Sequence, residues 1–176
     1  MGIHQIQIRH DEAEDRLLMR VTTTDHCEFR FWLTRRYTIR LWRLLVQMLQ
    51  WDKAVTQQVD PDTRHAVLDL QHEGYAQQAD YATKFEDETP RQMPLGEAPL
   101  LLATAHASKR EGGAHLLRLQ PVSGQGIDIT ADTRLLHVFM RLLREQVAKT
   151  EWEVNLELHD PSQQAAVETQ APRTIN

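Results

Sequence analysis

Three short runs near the start of the chain alternate apolar and polar residues, and a longer stretch then changes to helical spacing. Residues 3–9 set Ile6 and Ile8 around Gln7. Residues 16–24 oppose Leu17, Met19 and Val21 to Leu18, Arg20 and Thr22. Residues 28–33 oppose Phe29, Phe31 and Leu33 to Glu28, Arg30 and Trp32. Alternation of this kind predicts strands with one wet face. The charged stretch 11–15 and the pair Asp25–His26 are turns, so the three strands suit an antiparallel meander.

Thr34 is placed as an N-cap, and the helix after it is predicted to run to about Val55. Tyr37, Leu41, Leu44, Leu45 and Met48 form one apolar stripe; Ile39, Trp42, Val46 and Leu49 form a second. Only Arg36, Arg40, Arg43 and Gln47 make a polar strip. A helix apolar round most of its circumference needs cover on more than one side. Two covers are open to the second stripe, the helix of the second repeat within the chain or the same helix in another copy; the latter is expected, which makes Ile39, Trp42, Val46 and Leu49 an oligomer interface.

The pattern returns at a constant offset of 98 positions. Leu18 maps to Leu116, Arg20 to Arg118, Phe29 to Ile127, Phe31 to Ile129, Trp42 to Met140 and Arg43 to Arg141. The cap Thr34 maps to Asp132. This predicts an internal duplication. The second copy has strands at residues 99–107, 115–120 and 127–130, with a helix from Asp132 onward. Residues 151–158, where Trp152, Val154, Leu156 and Leu158 alternate with polar neighbours, predict one more strand. Asp60-Pro61 starts an inserted helix reaching Phe85, and residues 86–99, with their prolines, read as a linker.

The expected fold is α+β: two β-β-β-α repeats related by a pseudo-twofold, with antiparallel sheets backed by long helices. Residues 1–59 are the first repeat, 60–98 the helical insertion and linker, 99–159 the second repeat with its final strand, and 160–176 a flexible tail. All belong to one compact domain. The layout resembles that of single-stranded nucleic-acid binders of the Whirly and PUR type, in which sheets are backed by helices in duplicated units. None of their motifs is present, so no residue is carried over.

Composition narrows the function classes. The net charge of −5 disfavours a dedicated duplex-DNA binder. Cys27 is the only cysteine, which suits a reducing compartment, and no run is long and apolar enough to span a bilayer. A cytoplasmic protein that does not enter membranes is expected.

Candidate chemistry is sparse. His65, Asp69 and His72 can share one helix face, a weak metal set that would need help from His4, His10, His106 or His115. The bland alternative is a solvated face opposite Ala66, Val67 and Leu70. Cys27 beside His26 lacks the geometry of a nucleophile and its base, because adjacent strand residues point apart. Gly124-Gln125-Gly126 opens a strand rather than a helix and reads as a turn. Arg30, Trp32, Arg35, Arg36, Arg40 and Arg43 combine guanidinium charge with rings, as single-strand binding surfaces do. No catalytic residue and no cofactor are assigned. The expected function is non-catalytic binding or assembly of adaptor type, through surface contacts and self-association. Single-stranded DNA or RNA binding is the next reading, and a metal protein or enzyme on the His65 face the third.

Overall fold

The computed structural model describes residues 2–78, 85 and 91–158. The chain is α+β, and its described residues form a six-stranded mixed sheet and four α-helices. The strands are β1 (Ile3–Asp11), β2 (Arg16–Thr23), β3 (Glu28–Leu33), β4 (Leu100–Lys109), β5 (His115–Pro121) and β6 (Ile127–Ala131). The helices are α1 (Arg35–Leu49), α2 (Lys53–Thr56), α3 (Pro61–Gln78) and α4 (Thr133–Val147). Spatial order follows chain order from β1 to β6.

Helices α1 and α4 start as their sequences dictate. Thr34 has extended backbone and its hydroxyl oxygen accepts from the Tyr37 amide at 3.2 Å. Asp132 does the same for Leu135 at 2.7 Å. Each cap satisfies an amide that the helix itself leaves orphaned. Thr34→Ala and Asp132→Ala should each lower stability by about 1 kcal/mol in urea unfolding.

The element order β-β-β-α occurs twice. The sheet departs from the antiparallel expectation at its centre. β3 and β4 run parallel, with Phe31 opposite Leu100 and Trp32 opposite Leu101. Parallel neighbours need a long crossover, and the connection between β3 and β4, which carries α1, α2 and α3, supplies one. The two units also exchange helix contacts: α1 packs on β4, and α4 packs on β1. Helix α4 is about 22 Å long, close to the roughly 24 Å width of the sheet at ordinary strand spacing. It therefore reaches from β6, which it follows, to β1, where the Gln146 side-chain oxygen accepts from the His10 amide.

β2, β3, β5 and β6 bury alternate residues on one side, and β1 and β4 add Ile8 and Leu102. Ile8, Met19, Phe31, Leu117, Ile129 and their neighbours form one core with Leu41, Leu45, Leu136, Phe139 and Leu143 from α1 and α4. The other side of the sheet is its outer face. The β5–β6 turn needs glycine for two reasons. Gly124 has a φ of 83°, and a Cβ on Gly126 would stand 2.2 Å from the Leu119 carbonyl oxygen.

Two further expectations change. The first helix ends at Leu49 rather than Val55, because Asp52 starts a new turn by accepting from the Ala54 amide at 2.8 Å. Residues 151–158 are not a strand. Trp152, Leu156 and Leu158 are buried while Glu151, Glu153, Asn155 and Glu157 are exposed, so the alternation is real. It comes from an extended strap lying across the helices without a backbone ladder, bent at Glu153, whose φ is 50°. The inserted helix is described to Gln78; the remainder of the predicted helix apart from Phe85, the first part of the linker and the 160–176 tail lie outside the described residues.

The second stripe of α1 also finds cover inside the chain. Trp42 is 4% exposed and Leu49 1%, while Ile39 and Val46 are half-buried. The Trp42 indole N–H donates to the Glu157 carbonyl at 2.6 Å, so the strap and α4 occupy the position expected for a second subunit.

Candidate binding face and a buried histidine pair

Register decides what the outer face presents. Across β1, β2 and β3, Gln7 lies opposite Arg20, and Arg20 opposite Arg30. The next row reads Arg9, Leu18, Trp32 and, on β4, Leu101. The first row is rich in guanidinium. The second is an apolar strip of half-buried side chains, with exposed Arg9 at its end.

Glu28 organises the charged row. Arg20 donates to both of its carboxylate oxygens, at 2.8 and 3.1 Å, in the bidentate form that favours arginine. Arg30 Nε donates at 2.7 Å and Arg91 Nη1 at 3.2 Å. Arg20 also reaches the Gln7 side chain, and Arg30 the Glu97 carbonyl. The Phe85 ring lies over the Arg20 and Arg91 guanidiniums, 4.3 and 5.1 Å from its centroid. The Glu28 side chain is 2% exposed. Burial pushes its carboxyl up, but the hydrogen bonds from Arg20, Arg30 and Arg91, with the Arg20 charge, outweigh burial and hold it at about 2. Three guanidiniums thus share the Glu28 carboxylate.

Arg91 reaches this cluster because its chain segment is anchored at β3. The Glu28 amide donates to the Gln92 carbonyl at 2.8 Å, and the Gln92 amide to the His26 carbonyl at 2.9 Å. On the second unit the outer face carries an exposed Arg118–Asp128 pair at 2.7 Å instead.

The residues grouped by sequence as a nucleic-acid surface do not all meet. Arg30 and Trp32 belong to the outer sheet face. Arg35, Arg36, Arg40 and Arg43 are exposed on α1, in the helix layer across the sheet. The proposed metal set does not gather either. Asp69 is exposed and His65 half-buried, whereas His72 turns inward at 6% exposure. No group of three potential metal ligands occurs among the described residues. Cys27 is half-buried with its thiol directed at the Asp25 carbonyl, and His26 is exposed.

His72 instead meets His137 of α4, a partner the sequence did not suggest. Their Nδ1 atoms are 3.0 Å apart, and both residues are buried. Tyr75 stacks on the His137 ring at 5.3 Å. Burial, then the Arg144 and Arg141 charges, push His72 down, with Asp69 opposing. Burial and His72 push His137 down to about 4, with Asp52 opposing. The hint was available in sequence: His137 is a histidine inside the apolar run from Leu135 to Met140.

No protein-family model, curated protein or solved structure matches this chain. No helix among the described residues is long and apolar enough to cross a membrane.

Proposed function

We propose that the protein is a non-catalytic binding protein whose working surface is the outer face of the first three strands, and that single-stranded nucleic acid is its ligand. The observation that carries this reading is the pair of neighbouring rows. A guanidinium-rich row gathered round the Glu28 carboxylate lies beside an apolar strip containing Trp32. Phosphates are matched by the first and bases by stacking on the second. The net charge of −5 acts against binding elsewhere on the surface, so the interaction rests on this face. A protein partner of the adaptor kind would use the same strip. Self-association through Trp42 loses its main support, because that stripe is covered within one chain.

We also infer that the two β-β-β-α units share an origin. Supporting this, residues 98 positions apart keep the same burial: Phe31 with Ile129, Leu41 with Phe139, Trp42 with Met140.

The test is a fluorescence titration of a labelled single-stranded oligonucleotide at low and moderate salt. Binding should quench tryptophan emission and weaken as salt rises. Trp32→Ala should weaken it about tenfold or more, since one stacked base is worth about 1–3 kcal/mol. Arg30→Gln, with its melting temperature checked, should reduce the salt slope. No binding by the wild type at tens of micromolar in low salt would remove nucleic acid as the ligand.

A further inference from the structure

We propose that the His72–His137 contact is a proton-operated latch that holds α3 on α4 at neutral pH and releases it on acidification. The geometry sets the rule. Two imidazole Nδ1 atoms 3.0 Å apart can bond only if one carries a proton and the other a lone pair. The neutral pair meets this condition with opposite tautomers, one protonated at Nδ1 and the other at Nε2. A first added proton must go to the remaining bare Nε2. Both Nε2 atoms are buried without a hydrogen-bond partner among the described residues, so the new N–H and its charge meet no acceptor. A second proton places two Nδ1–H groups head to head, and the bond is lost.

The surroundings reinforce the rule on both sides of the contact. From α4, Arg141 and Arg144 disfavour a charge on His72. From α3, Asp69 favours it, and from the connection after α1, Asp52 favours a charge on His137. Tyr75 covers the His137 ring without supplying charge. A cavity of about 550 Å³ reaches His72, and Asp69, Glu73 and Glu145 line it together with Arg141 and Arg144, so carboxylates as well as guanidiniums surround that side of the pair.

Helix α3 depends on this contact. Among its described side chains, Leu68 is the one apolar residue that is fully buried, and His72 follows one helical turn later. Val67 is only partly buried, and Leu70 is 72% exposed. Half of the buried anchor therefore titrates.

The sign follows from linkage. Both histidines are held below their ordinary value in the docked state, so the released state takes up protons first. Docking is strongest above about pH 6.5 and weakens as pH falls toward the lowered values.

The experiment is amide hydrogen exchange of the full chain, corrected for intrinsic pH dependence. Between about pH 6.5 and pH 4.5, protection across α3 should fall about tenfold or more, while α1 and the strands keep theirs. The double variant His72→Leu/His137→Phe replaces both polar partners with apolar ones and keeps a ring under Tyr75. Its α3 should stay protected across the same range. Equal pH sensitivity in variant and wild type would overturn the latch, as would wild-type α3 amides indifferent to pH. If the variant does not fold, imidazole NMR of the wild type decides. Protonation of the pair that coincides with loss of α3 protection supports the latch. Protonation near pH 6.5, about the ordinary histidine value, with α3 unmoved refutes it.

Discussion

Glu28→Gln should lower stability by about 3–5 kcal/mol, the usual consequence of removing one partner from a buried ionic cluster. The carboxylate serves Arg20, Arg30 and Arg91 at once, and its side chain is 2% exposed. Glutamine keeps the shape but offers one acceptor oxygen and no charge, so three buried or half-buried guanidiniums lose the Glu28 carboxylate. Urea unfolding at neutral pH would show the loss as a lower midpoint with an unchanged slope. An independent check comes from acid. The Glu28 carboxyl falls from 4.5 in the unfolded chain to about 2 in the folded one. A depressed carboxylate stabilises the fold above its unfolded value, and the benefit disappears as pH falls toward the folded value. The shift corresponds to about 3 kcal/mol, lost between roughly pH 4.5 and pH 2. Glu28→Gln should flatten that acid limb. A variant as stable as wild type, or one with an unchanged limb, would show that the arginines are satisfied by other groups.

Trp42→Glu should unfold the protein rather than change its assembly. The indole is 4% exposed within a single chain, and its N–H is matched to the Glu157 carbonyl. Loss of a buried tryptophan costs about 3–5 kcal/mol before the new charge is counted. Burying a carboxylate at the same place adds several kcal/mol more. Domains of this size have about 5–15 kcal/mol in total, so the folded state should largely disappear. Circular dichroism and light scattering together decide the matter. A folded variant with wild-type melting temperature and a smaller molar mass would place Trp42 at a subunit interface instead.

The sequence was most informative where physics is local. Cap residues act through amides within one turn of themselves, so Thr34 and Asp132 could be placed without knowing any tertiary contact. Strand faces follow from the two-residue period, and Leu17, Met19, Phe29 and Phe31 are buried as their alternation required. Even residues 151–158 bury the predicted side. The pattern reports which side chains leave water. It does not report whether the backbone beside them is paired, so a strap resembles a strand.

What only the tertiary structure decided are the encounters between distant segments. Glu28 reads as a wet-face residue of β3 until the Arg91 segment, 63 positions away, is folded over it. His72 reads as one of a solvated His65–Asp69–His72 face until α3 turns it toward His137. The arginines of 30–43 read as one cluster until the sheet separates Arg30 from those on α1. The sequence by itself determined the elements, their caps and their buried faces, because these depend on neighbours within a few residues. The fold determined which polar groups share an environment, because cross-strand register and helix docking are set by the whole core.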